Sequence, residues 1–183
     1  YVGKMDIISS LATLSYDKRR SEFFSNELLT LLRLIDDNQI DYKTLYGSWA
    51  GAFGFFQFMP STIKNYAFDY NKDNYIDLKN SEDAYASAAN YLNKIGWKKN
   101  EPCFVRIDLR NNIPEKYLNS SAKKIQNKRK LRFFKKYIND SSQFKFDENQ
   151  LVGIITPDKN IIPGAKTYKP AYLVFNNYEK ILK

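Results

Sequence analysis

The stretch Gly47-Ser48-Trp49-Ala50-Gly51-Ala52-Phe53-Gly54-Phe55-Phe56-Gln57-Phe58-Met59-Pro60-Ser61 decides how this chain is read. Three glycines within eight residues suit neither a helix interior, where each costs about 1 kcal/mol, nor a packed strand. Set among aromatic rings, they let backbone come close to something while flat faces surround it. Ser48 and Gln57 are the side chains there that hydrogen-bond through a hydroxyl or an amide. The segment reads as the floor of a binding groove. The plainer alternative is a Gly-aromatic turn packed into a core without a ligand.

Behind it, Asp69-Tyr70-Asn71-Lys72-Asp73-Asn74-Tyr75-Ile76-Asp77 places oxygen-bearing side chains at alternate positions. That spacing suits a loop whose first, third, fifth and ninth side chains converge on a hard cation. Position six is Asn74 rather than Gly, and Asn is the next residue best able to take a left-handed turn. Position twelve is Asn80 rather than a bidentate Glu. On spacing alone, an ion site and an Asx-turn loop without metal stand level.

Composition bounds the rest. The chain has 183 residues, enough for one well-cored domain with a small subdomain. No run approaches the length of a membrane span, and the opening residues show no signal-peptide pattern. The single cysteine, Cys103, leaves no internal disulfide and no Cys-cluster zinc site. The sequence contains no histidine, which removes Ser-His-Asp and Cys-His catalysis and His-ligated metals. Acid–base chemistry must therefore fall to carboxylates, Tyr or Lys. The formal net charge is +9, with eight basic and no acidic residues between Lys123 and Lys136. Ile125, Leu131, Phe134 and Ile138 recur there at roughly helical spacing, so a surface helix over 114–139 with a solvated basic face is expected. No nucleic-acid recognition motif accompanies it.

Ile7 to Leu14 reads as a short buried helix. Ser21 is expected to cap a second helix with Phe24, Leu28, Leu31, Leu32 and Ile35 on its apolar face, ending at Asp36-Asp37-Asn38. A short helix follows Pro60 through Tyr66. Ser81 is expected to cap another, with Ala84, Ala88, Tyr91, Leu92 and Ile95 on one face and Gly96 as its stop. Glu22 and Glu27 read as surface or cap residues. After Trp97 the pattern changes: Cys103–Ile107, Leu151–Ile155 and Ala171–Phe175 read as strands. The expected fold is α+β and mainly α, a helical domain over 1–97 with its acidic loop at 69–83, then a smaller strand-containing subdomain over 98–183.

In its order and spacing of motifs the chain resembles the membrane-bound B type of lytic murein transglycosylases. The resemblance rests on Gly3-Lys4, Ser10 to Leu14, Arg19-Arg20, Gly47 to Ala52, Gln57 to Ser61, Tyr66 to Asp69, Asp83-Ala84, Ala89 to Leu92 and Gly96-Trp97. A weaker match covers Pro170 to Tyr178, and residues 110–150 match nothing. The resemblance implies a lysozyme-like helical domain with a deep glycan groove, in the periplasm or at the outer membrane of a Gram-negative bacterium. It implies cleavage between N-acetylmuramic acid and N-acetylglucosamine by one Glu, acting first as acid on the glycosidic oxygen and then as base on the muramoyl 6-hydroxyl. A 1,6-anhydro end results, so the second carboxylate of most glycosidases is not required.

Carried over residue by residue, Ser48 would bind the muramoyl acetamido group. Gln57 and Tyr91 would line the same subsites, with Phe58 as a stacking wall. Arg19 and Arg20 would meet peptide or lactyl carboxylates, or glycan hydroxyls. Asp69, Asn71, Asp73, the Tyr75 carbonyl and Asp83 would hold a structural calcium or sodium ion, no cofactor being required for the chemistry. The catalytic Glu, in a Glu-x-x-aromatic-Gly segment, would fall upstream of Tyr1 and a groove helix would begin after Lys183. On this reading the chain is the central part of a longer, monomeric protein whose missing N-terminus governs any membrane association, and its own lytic activity is doubtful. The partner is peptidoglycan and no nucleic acid is expected. The alternatives are a non-catalytic peptidoglycan-binding remnant and, behind it, an anionic-polymer or nucleic-acid binder.

Overall fold

A computed structural model describes residues 3–110, 112–121, 123–157 and 169–182. They fall into two compact units, Tyr1–Ile95 and Gly96–Lys183.

The first unit is built on four helices. Strand β1 (Met5–Asp6) runs directly into α1 (Ile7–Tyr16), because Asp6 is extended and its carboxylate accepts the Ser9 N–H at 2.7 Å. That hydrogen bond holds the Asp6 carboxyl below the usual carboxylate range. A lowered folded pKa means stability that is present above the unfolded value and lost as pH falls through the folded one. Asp6→Ala is therefore expected to cost about 1 kcal/mol near neutrality. In parallel urea titrations the deficit should shrink as pH falls through the lowered folded pKa and the wild-type cap becomes protonated.

Helix α2 (Ser21–Asp36) starts from Arg20 in a left-handed conformation, φ 78°, with no side-chain cap. Ser21 is thus the first helical residue and not the expected cap. Its buried positions are Phe24, Glu27, Leu31 and Leu34, while Leu32 is 43% exposed. The apolar stripe lies one position round from the face read off the sequence, because Leu34 rather than Leu32 turns inward. Glu22 is exposed, as expected. Glu27 is buried, and its carboxylate accepts the Ser61 N–H at 2.8 Å and the Ser61 hydroxyl at 2.6 Å. It caps α3 (Pro60–Tyr66), where Pro60 needs no donor in the first turn. Helix α4 (Ser81–Lys94) is capped by Asn80, whose side chain accepts the Glu82 N–H; Ser81 again stands one residue inside. Gly96, at φ 85°, follows its end. Ile7, Leu11, Phe24, Leu31, Leu34, Leu45, Phe53, Ile63 and Leu78 join in one core.

In the second unit, strands β3 (Phe104–Ile107), β4 (Leu118–Asn119), β6 (Leu151–Ile155) and β7 (Ala171–Val174) form a sheet in the order β3-β7-β6-β4. All pairings are antiparallel except β4 with β6. Strand β5 (Arg129–Lys130) pairs with the start of β6, and helices α5 (Leu131–Phe134) and α6 (Asn176–Ile181) belong to the same unit.

The described residues of 114–139 do not form the expected basic helix. Asn119 is 9% exposed; it accepts the Gln126 N–H and donates to the Ile154 carbonyl, both within 2.9 Å. That clamp ties Gln126 back to the end of β4, Asn127 turns left-handed at φ 53°, and 129–130 are drawn into the sheet. Gly153 admits this crossing: a Cβ there would stand 2.2 Å from Ile125 Cγ2. Leu131, Phe134 and Ile138 are fully buried as the spacing implied, but the described residues there form only the α-helical turn Leu131–Phe134 and 3-10 turns at Glu115–Tyr117 and Lys135–Tyr137. Tertiary pairing overrode a periodic pattern.

Candidate functional site

Ser48 to Ser61 folds as two nested turns ending on α3. Gly47 is the last residue of β2 (Tyr46–Gly47), which pairs antiparallel with β1. Ser48 donates its N–H to the Ala52 carbonyl at 2.8 Å, and its hydroxyl oxygen accepts the Ala52 N–H at 3.1 Å. The hydroxyl keeps a proton to give. Next, Phe53 and Phe58 exchange both backbone hydrogen bonds, at 3.1 and 3.0 Å, closing a hairpin around Gly54–Gln57. Gln57 is exposed with φ 52°, and its amide donates to the Gly54 carbonyl at 2.8 Å. The Phe55 N–H bonds the Leu78 carbonyl at 2.9 Å, which ties down the hairpin tip.

The close approach expected of the glycines is real, but it is made to the protein. A Cβ on Gly51, where φ is +89°, would stand 2.2 Å from Leu11 Cδ2. One on Gly54, at φ +78°, would stand 2.4 Å from Leu78 Cβ. For the glycines the plainer reading, a tightly packed turn, is the right one.

The rings are another matter. Phe58 meets Tyr91 of α4 at 5.7 Å between centroids and Phe56 at 6.4 Å. Tyr66 meets Tyr91 edge-on at 5.1 Å, and Phe56 meets Tyr85 at 5.6 Å. Tyr85, Phe56, Phe58, Tyr91 and Tyr66 thus form an unbroken aromatic wall. Tyr85 is 64% and Phe56 45% exposed, so this end of the row presents its rings to solvent. Of the expected site residues, Phe58 and Tyr91 meet on this wall, Gln57 precedes Phe58 in the hairpin, and Ser48 lies in the turn before it. Sequence reasoning passed over Phe56, Tyr66 and Tyr85. Tyr85 carried a usable signal, since it lies off the apolar face of α4 where a large ring has no core to fill.

Arg19 and Arg20 lie in the turn between α1 and α2. The Arg20 guanidinium sits 4.5 Å from the Phe23 ring centroid and 5.5 Å from that of Phe24; Arg19 is exposed, its N–H bonding Asp17. Trp49, 69% exposed, borders a concavity of about 340 Å³ with Met5, Ser9, Thr13 and Leu14.

The acidic loop is held by its own side chains. The Asp69 carboxylate accepts the N–H groups of Lys72, Asp73 and Asn74, and Asp73 accepts from Tyr75 and from the Asn71 amide. Asn74 takes the expected left-handed conformation, φ 76°. Asp83 is fully buried; its two oxygens accept the N–H groups of Tyr70, Asn71 and Asp77, at 2.8, 3.3 and 3.0 Å. It fastens both ends of the loop to the start of α4. The donors are all hard oxygen, the chemistry a calcium-sized cation takes. Among the described residues no three acidic, Cys or His side chains are gathered closely enough to hold a metal by themselves.

A helical unit with a hairpin-borne aromatic wall, followed by an acidic loop leading into the next helix, is an architecture of the lysozyme-like class. The chain belongs to the transglycosylase SLT domain family, which matches residues 1–183. It is 48% identical over 101 residues to the membrane-bound lytic murein transglycosylase B of Escherichia coli strain K12, covering 55% of this chain and 28% of that protein. SltB3 of Pseudomonas aeruginosa, solved in complex with NAG-NAM-pentapeptide, superposes with a TM-score of 0.82 at 28% identity, over 99% of this chain and 46% of that one. The Escherichia coli lytic transglycosylase Slt35, solved in complex with calcium, gives 0.70 at 29% identity, over 98% and 54%. The chain thus spans between 28% and 54% of the length of these relatives. Its mixed α+β, lysozyme-like fold is the one the sequence resemblance implied.

Proposed function

We propose that this chain binds the glycan strands of murein as part of a lytic transglycosylase, a lyase that cleaves between N-acetylmuramic acid and N-acetylglucosamine and leaves a 1,6-anhydro end. The aromatic wall from Tyr85 to Tyr66 carries the reading. Sugar rings present apolar C–H faces that flat side chains cover, while their acetamido and hydroxyl groups need fixed polar partners. Phe58 and Tyr91 supply the stacking face, and Ser48 and Gln57 the polar contacts beside it. Arg19 and Arg20 meet carboxylates of the peptide or lactyl groups. The NAG-NAM-pentapeptide held by the SltB3 relative supports this substrate class. The place of work is the cell envelope of a Gram-negative bacterium, where murein lies.

Calorimetric titration with a NAG-NAM-peptide fragment tests the assignment. Ser48→Ala and Gln57→Ala are expected to weaken binding severalfold, by about 1 kcal/mol for each lost hydrogen bond. Identical affinity in all three proteins removes these residues from the site. In the same reading, the loop holds a structural cation through Asp69, Asn71, Asp73 and the Tyr75 carbonyl, with Asp83 behind them. The calcium in the Slt35 relative supports it. Calcium titrated into the chain should give heat that Asp73→Ala abolishes; two flat traces leave the Asx-turn loop alone.

A further inference from the structure

The positive charge of this protein belongs to one unit. Residues 96–183 carry 19 Lys and Arg against 8 Asp and Glu, a formal +11, whereas residues 1–95 carry 10 against 12, a formal −2. The densest part is the segment from Lys123 to Lys136, in which Lys123, Lys124, Arg129, Lys130, Arg132 and Lys136 are exposed. Two more cations are already used: Lys128 pairs with Glu179 at 2.7 Å, and Lys135 with Glu148. From Arg129 onward the backbone beneath is fixed: strand β5 is paired to β6, and Leu131, Phe134 and Ile138 are fully buried. Arg129, Lys130, Arg132 and Lys136 therefore stand on a rigid base.

We propose that this strip of the second unit is a secondary attachment surface for the carboxylates of murein, which keeps the protein on the polymer between encounters with the aromatic wall of the first. The inference rests on the murein reading above. Three observations favour a hydrated carboxylate polymer over other polyanions. No large hydrophobic side chain within 123–136 is exposed, and the exposed Leu151 opposite Lys130 is one side chain, not the apolar face that anchors a protein in a lipid surface. The nearby rings are covered by cations: Lys136 lies 5.1 Å from the Phe133 ring centroid and 4.8 Å from that of Tyr137, and Arg129 lies 5.6 Å from that of Tyr117. They offer no stacking platform for nucleic-acid bases. Lys outnumbers Arg, and an ammonium is a point charge suited to scattered single carboxylates, whereas paired phosphate recognition favours the Arg fork.

The test uses the whole 183-residue chain and a variant with Lys123, Lys124, Lys130 and Arg132 all changed to Gln, whose thermal unfolding should match wild type. Both are sedimented with purified murein sacculi at about 50 mM and about 300 mM salt, between which the screening length roughly halves. Wild type should bind at least about tenfold more tightly than the variant at low salt, and the two should converge at high salt. Amidating the sacculus carboxylates should bring wild type down to the variant. Equal low-salt binding of the two proteins overturns the proposal while leaving the murein reading standing. If neither protein sediments with sacculi at any salt, the murein reading fails as well. Variant effects confined to anionic vesicles or DNA overturn the choice of partner. Unchanged sacculus binding together with self-association of the variant would mean that the lysines serve only to protect the β5 edge.

Discussion

Asp83→Ala is expected to lower the unfolding free energy by about 4 kcal/mol, the largest loss from any single polar change in the first unit. The carboxylate is fully buried and receives three backbone N–H groups from both ends of the 69–80 loop. Truncation strands three donors in a place water does not reach, and such donors cost far more unpaired than their bonds contribute when formed. Asp83→Asn should fall between, since it keeps one acceptor but turns an N–H₂ toward another donor. Urea denaturation of the three proteins decides the matter. A loss below about 1 kcal/mol in Asp83→Ala would place the loop's order elsewhere than in this carboxylate.

The second large effect concerns binding. Phe58→Ala is expected to weaken affinity for a murein fragment by more than tenfold, about 1.4 kcal/mol or beyond, as for a central aromatic anchor. Phe58 touches both Phe56 and Tyr91, so its removal breaks the wall in the middle. It is also half-buried, and the alanine variant will lose some stability. Phe58→Leu separates the two consequences. Leucine restores most of the buried volume without a flat face, so stability should recover and affinity should not. Full affinity in Phe58→Leu would show that the position fills space and does not stack on sugar.

Much of this was legible in the chain, for reasons that differ from element to element. The helix Pro60–Tyr66 and the strand Leu151–Ile155 were readable to the residue. A proline marks the first, and a β-branched run bounded by polar residues marks the second. Serines 21 and 81 were each misplaced by one, because a cap is set by backbone geometry and the neighbouring Arg20 and Asn80 took it. Residues 114–139 were unreadable as written. Their apolar spacing was correct for burial, but the partner that decided their backbone, Ile154, lies 35 residues from Asn119. The same holds for Glu27: nothing local says that it caps a helix 34 residues onward. At the candidate site, the hairpin's aromatic content was plain, whereas the joining of its rings to Tyr85, Tyr91 and Tyr66 depends on how α4 packs.

The hairpin is fastened at three places already described: at its entry by β2 on β1, at its tip by Phe55 on Leu78, and at its exit by Glu27 on Ser61. None of these anchors involves a ligand. On the proposed murein reading, the wall is thus shaped before any sugar arrives, and ordering on association falls almost wholly on the polymer. Each further sugar laid along a preformed wall adds contact without a new cost in protein freedom. Affinity should accordingly climb with oligosaccharide length and level off once the row from Tyr85 to Tyr66 is covered, while association rates stay near those of a rigid receptor.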